Sequence, residues 1–168
     1  MQIRMDKEMR CFRATQSDIP DLVKLRLAFL LEISGPQPEE AIKALRDGLQ
    51  CYFEQAIVDE SYVCWLARIG DEPVGAGGMV LRQQPGNFKN PSGRIGYIMS
   101  MYTVPTFRKR GICSSILDHL VRVGTSIGIT AFELHATEAG TPVYQKVGFV
   151  RHTEPTYRLY TDLLSAKR

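Results

Sequence analysis

The chain holds one tryptophan and three histidines, and its four cysteines (Cys11, Cys51, Cys64, Cys113) show no Cys-x-x-Cys spacing. With no histidine cluster beside them, neither a zinc site nor a redox dithiol is expected, and no metal is assigned. No apolar run approaches the roughly 20 residues that cross a bilayer, so no membrane partner is expected. Met1 to Arg10 is charged and lacks the apolar stretch of a secretory signal. The cysteines are therefore expected as reduced thiols, and the location as cytoplasmic. Charge of one sign is scarce as well: 21 Lys and Arg against 18 Asp and Glu leave +3. The basic residues are scattered, which falls short of the basic face that nucleic acid demands. A P-loop pattern, internal repeats and linkers are all missing. What is present, 168 residues with 44% hydrophobic and 23% charged content, fits a single domain over 1–168, with 1–9 as a polar lead-in.

Hydrophobic periodicity gives an element order of β-α-α-β-β-β-α-β-α-β. Arg10 to Ala14 reads as a first strand. Ser17 offers a helix cap, with Pro20 tolerated in the first turn, and apolar positions from Ile19 to Leu30 carry that helix to about Ile33. Ser34-Gly-Pro-Gln-Pro38 breaks it, and a second helix covers Glu39 to about Val58. Tyr62–Arg68 and Pro73–Leu81 form a hairpin about Gly70-Asp71. The three glycines of its second strand suggest a bulge or a close backbone approach. Gln83–Ser92 is a loop, and Gly93–Thr103 is the next strand. A helix closed by Gly128 follows, then a strand at Ala131–Ala136 and a short helix from Thr141 to Gly148. Phe149–Arg151 and Thr156–Tyr160 are expected as closing strands, paired about Glu154-Pro155. Helices and strands in this order make an α/β domain, or α+β with a mixed sheet.

The chemistry gathers at Val104-Pro-Thr-Phe-Arg-Lys-Arg-Gly-Ile-Cys-Ser-Ser115. Pro105 has no N–H for a ladder and ends the strand. Gly111 allows a backbone approach that a Cβ would block. The first N–H groups of the following helix have no intrahelical acceptor and carry partial positive charge. With Arg108, Lys109 and Arg110 they make a place for a phosphate or pyrophosphate.

That loop, followed by Leu134-His-Ala-Thr137 and Val143-Tyr-Gln-Lys-Val-Gly-Phe149, resembles the GCN5-related N-acetyltransferase (GNAT) superfamily over roughly Arg10 to Tyr160. The motifs Arg-x-x-Gly-x-(Gly/Ala) and Tyr-x-x-x-Gly-Phe are specific together, in this order and spacing, although each alone is weak. The resemblance implies that fold, a central mixed β-sheet flanked by about four helices, and acetyl-CoA as cofactor. It implies an N-acetyltransferase that moves the acetyl group to a primary amine of a small molecule, peptide or protein by direct attack in a ternary complex. In the same terms, backbone at Met101, Tyr102 and Thr103 binds the pantetheine arm, and an N–H near Met101 polarises the thioester carbonyl. Arg108 and the backbone of Lys109, Arg110, Gly111, Ile112, Cys113 and Ser114 hold the pyrophosphate. Tyr144 is the general acid toward the leaving thiolate. Two positions depart from the pattern. Cys113 replaces Gly or Ala, and is expected to pack rather than to carry an acetyl group. Thr137 stands where many relatives have Asn, and its hydroxyl is expected to bond the pantetheine. His135 shares strand parity with Thr137 and Glu133, so it is a candidate base, with a structural role as the alternative. His119 and His152 read as surface residues, and Glu32 as a border of the acceptor site.

The competing reading is a non-catalytic acyl-CoA-binding module for sensing or scaffolding. A tyrosine at 144 favours the enzyme. A cationic acceptor would need carboxylates such as Glu32, Glu39, Glu40, Glu54, Asp59 or Glu60, which a solvated helix face explains equally well. The acceptor is left open, and so is a homodimer paired through Thr156–Tyr160.

Overall fold

The computed structural model describes residues 8–161. Five strands, β1 (Met9–Arg13), β2 (Tyr62–Ile69), β3 (Glu72–Gln83), β4 (Arg94–Thr103) and β5 (Ala131–Leu134), form one sheet in the order β1-β2-β3-β4-β5. The first four pair antiparallel, and β5 lies parallel to β4. That parallel step needs a crossover, which α3 (Ile112–Ser126) supplies. Helices α1 (Ile19–Ser34) and α2 (Glu39–Val58) precede β2, and α4 (Thr141–Val147) follows β5. This is the mixed sheet with four helices that the resemblance implies.

Strand alternation sends side chains to two cores, one on each face of the sheet. Tyr62, Cys64, Leu66, Ala76 and Tyr102 pack under α1 and α2 with Leu22, Leu25 and Phe53. Val74, Met79 and Ile98 pack against Ile112, Ile116, Leu117 and Leu120 of α3, with Tyr144 of α4. Gly78 of β3 has a packing reason for lacking a side chain. A Cβ there would collide with the ring of Tyr62, which lies across the strand. The expected bulge is present: Met99 pairs with Gly78 and Tyr102 with Ala76, so Ser100 and Met101 together face Gly77. Ser100 sits at φ +58 in this irregularity.

Helix α1 starts differently from the expectation. Thr15 N–H donates to the Asp18 carboxylate at 3.0 Å, and Ser17 lies inside a short 3-10 turn instead of capping the helix. This carboxylate closes the capping box of the 3-10 turn, and no side chain caps α1 itself. The larger correction concerns the chain after α4. Among the described residues no strand follows β5. Phe149 packs edge-on against Tyr144, but Val150 and Tyr157 are 89% exposed and Leu159 is 71% exposed. Alternation from Thr156 to Tyr160 is a local signal, whereas a strand exists only where a neighbour takes its N–H and C=O groups. Pro155 also removes one donor. No helix among the described residues is long and apolar enough to cross a membrane.

Candidate active site

The site follows from a split in the sheet. Pairing of β4 with β5 runs from Ile95↔Ala131 to Ile98↔Leu134 and stops. The rest of β4, through the bulge to Thr103, therefore has an open edge toward β5. An open edge presents alternating N–H and C=O groups, which suits an extended ligand arm that carries amides. Thr103 is buried at the end of this edge, and its Oγ1 has no hydrogen-bond partner. An orphaned buried hydroxyl costs free energy unless a ligand or water meets it.

At the same rim the chain turns into α3. Pro105–Phe107 makes a 3-10 turn, then Lys109 at φ +62 and Gly111 at φ +78 wind the backbone through left-handed conformations. After Arg108, whose N–H donates to Pro105 O at 3.3 Å, the next N–H with an intramolecular acceptor is that of Ser115, which donates to Gly111 O at 2.9 Å. Among the described residues, the six N–H groups from Lys109 to Ser114 have no backbone or side-chain acceptor, and no side chain caps the helix. Alternating hand in the backbone turns such groups inward as a concave nest. The partial charge of the helix terminus adds to it, and the result fits a pyrophosphate. Nothing stands within 4 Å of a Cβ built on Gly111, so glycine is required there by its φ and by whatever approaches it.

Arg108 is placed differently from its neighbours. Its Nε donates to Thr103 O at 2.9 Å, and its terminal nitrogen donates to both Glu32 carboxylate oxygens at 2.8 and 2.7 Å. The guanidinium thus ties the end of β4 and the last turn of α1 to the loop. Its hydrogen bonds hold the Glu32 carboxyl below the usual carboxylate range. Glu32 is thus paired with the loop that follows β4. Lys109 and Arg110 are exposed, with Arg110 over the Phe107 ring at 5.3 Å.

On the far side of the split, Thr137 starts the turn into α4. Its carbonyl accepts from the N–H groups of Gly140 and Thr141, and its Oγ1 accepts from Gly140 N–H at 3.2 Å. That leaves the hydroxyl proton to donate outward. Tyr144 as a residue is buried at 8% exposure, and its hydroxyl, which is not itself sealed from solvent, makes no hydrogen bond to the described residues. Burial first, and then the neighbouring Cys113, push the phenol well above its ordinary value. Such a group stays protonated, as a proton donor must. Burial likewise pushes the Cys113 thiol up, which keeps it from being the thiolate that an acetyl-cysteine route requires. His135 lies just past β5 on the face shared with Tyr97, and the Tyr97 hydroxyl meets its Nδ1 at 2.7 Å. His119 stacks on Trp65, and His152 Nδ1 accepts from Glu154 N–H, both away from this site.

Sequence reasoning missed a second feature. A cavity of about 300 Å³ lies between α1, α2 and the sheet and reaches the β4 bulge at Ser100. It is lined by Arg26 together with apolar and aromatic side chains. The signal was available: Arg26 is four residues after Leu22 and three before Phe29, on the buried stripe of α1.

The fold is that of the acetyltransferases of known structure. A predicted acetyltransferase with acetyl-CoA from Clostridium acetobutylicum is 32% identical with a TM-score of 0.80, the match covering 94% of this chain and 98% of that one. A GCN5-related N-acetyltransferase from Ralstonia eutropha JMP134 is 25% identical with a TM-score of 0.79, covering 90% and 99%. Glucosamine-6-phosphate N-acetyltransferase from Arabidopsis thaliana is 14% identical with a TM-score of 0.69 over 91% and 99%, a likeness of fold alone. No curated protein matches the sequence. The model of the Acetyltransferase (GNAT) family matches residues 27–149, and the chain belongs to this family.

Proposed function

We propose that the protein is an N-acetyltransferase that carries an acetyl group from acetyl-CoA to a primary amine by direct attack. The observation that carries this reading is the row of six free N–H groups from Lys109 to Ser114, beside an open strand edge and near Tyr144, whose ring is buried and whose hydroxyl makes no protein hydrogen bond. When bound, acetyl-CoA supplies a thioester whose carbonyl carbon is the electrophile and whose thiolate leaves. The N–H groups of the loop and of α3 would hold the pyrophosphate, Gly111 would admit it, and the open edge of β4 with the Thr137 hydroxyl would orient the pantetheine amides. A backbone N–H at the bulge near Met101 would be the donor for a thioester carbonyl oxygen. The Tyr144 phenol would be the proton donor for a leaving thiolate.

The acceptor must lose a proton to attack. The Tyr97–His135 pair serves this need: the Tyr97 oxygen takes the ammonium proton as its own moves to His135 Nδ1, and the exposed imidazole releases it to solvent. Four free cysteines agree with a reducing, cytoplasmic setting.

Thiol release from acetyl-CoA, measured against a panel of amines, tests the reading. Acceptor-dependent release supports the enzyme. Tight acetyl-CoA binding without turnover across the panel would favour a sensing or scaffold module, and absence of binding would overturn both.

A further inference from the structure

We propose that the acceptor is a small amine bearing a carboxylate and an apolar side chain, an amino acid of about the size of phenylalanine, and that Arg26 selects it by pairing with the carboxylate. This deepens the acetyl-transfer reading and rests on it.

The cavity beside the β4 bulge is where such an acceptor fits. Its walls are Leu49, Tyr52 and Phe53 from α2, Tyr62 from β2, and Met99 with Ser100 from β4. At about 300 Å³ it lies at the small end of small-molecule sites, too small for a folded protein surface and right for one compact molecule. Most of that wall is apolar and aromatic, which suits a hydrophobic side chain. One charged residue, Arg26, stands among the lining groups. Among the described residues it makes no salt bridge and no side-chain hydrogen bond, and its guanidinium lies over the Phe29 ring at 5.4 Å.

A half-buried guanidinium left without an anion loses hydration, and the Phe29 ring returns only part of that loss. Burial disfavours its charge here, and only the Tyr62 and Tyr97 phenols act in the other direction. The carboxylates that might have quenched it are occupied or elsewhere. Glu32 is paired with Arg108 and Glu60 with Arg13, while Asp59, which accepts from Ser61 N–H, keeps its charge on the Tyr52 side of the cavity. A second cation, Arg82, stacks over Tyr97 at 3.7 Å near the same wall. The one charged group in the lining is thus the Arg26 guanidinium, and it favours a carboxylate, whose two oxygens match the planar fork of arginine. With the carboxylate on Arg26 and the side chain among Leu49, Tyr52 and Phe53, the amine is left toward the bulge, where the reaction is placed.

The test compares phenylalanine with its decarboxylated counterpart, phenethylamine, as acceptors in the thiol-release assay. Wild type, Arg26→Gln and Arg26→Lys are assayed after thermal melts show that the variants fold. The expected result is that wild type prefers phenylalanine by about tenfold or more. Arg26→Gln should raise KM for phenylalanine about 10–100-fold while leaving phenethylamine nearly unchanged, and Arg26→Lys should restore part of the preference. Equal use of the two amines, an equal effect of Arg26→Gln on both, or turnover of spermidine alone would overturn the proposal and leave acetyl transfer standing. If no amine is turned over, acetyl transfer fails instead, and a calorimetric titration with N-acetylphenylalanine decides the role of Arg26. Binding weakened about tenfold or more by Arg26→Gln supports it; no binding, or binding indifferent to the substitution, overturns it.

Discussion

Burial of the Tyr144 ring raises the affinity of its phenol for the proton, and this has a consequence for stability. The folded state holds the proton more tightly than the unfolded chain does. The contribution is therefore full below the ordinary tyrosine value of about 10 and is lost as pH rises beyond it toward the folded value. Over the pH range of an assay the phenol stays protonated, so a fall in rate above neutrality does not come from Tyr144. His135 has the opposite duty. His135→Gln should lower kcat/KM by about 10²-fold at neutral pH and recover with rising pH, as the free amine becomes abundant. A pH-independent loss, measured with one acceptor across the range, would assign His135 a structural role instead.

At the scale of elements, the junction of β4 with α3 carries most of the site. Gly111→Val places a β-branched residue at φ +78, which costs about 1–2 kcal/mol or more and rotates the N–H groups out of the cradle. Calorimetry should find acetyl-CoA binding weakened about tenfold or more, with a thermal midpoint only moderately lower. Strand β3 makes a separate demand. Gly78→Ala drives a methyl into the Tyr62 ring, so denaturant unfolding should show a loss of about 1–3 kcal/mol.

This junction was legible in the sequence because its signals are local: a proline ends the strand, a glycine takes the left-handed turn, and an amphipathic stripe follows at once. Tyr144 was legible through its place in the Tyr-x-x-x-Gly-Phe pattern, and the Glu39–Val58 helix through its spacing. Arg26 escaped notice because its meaning depends on Tyr62 and Met99, which are brought to it only by folding. Arg108 illustrates the same limit. Its charge beside the loop suggested pyrophosphate, whereas Glu32, 76 residues away, and the Thr103 carbonyl claim the guanidinium. The closing strands failed for a related reason, since alternation between Thr156 and Tyr160 says nothing about whether a partner edge is in reach.

Across the whole molecule, two cores clamp a sheet that is continuous at one end and split at the other. The α1–α2 face holds the cavity with Arg26, the α3–α4 face holds the phenol, and the bulge in β4 lies between them. Cofactor and acceptor can thus enter from different sides and meet at one strand, as direct transfer requires. The most direct test is steady-state thiol release from acetyl-CoA by wild type and Tyr144→Phe, with acetyl-CoA affinity measured in parallel. The account predicts that kcat falls about 10²-fold or more while the Kd for acetyl-CoA stays within about twofold, because the phenol acts on the leaving sulfur and not on binding. Unchanged kcat in the variant would contradict it.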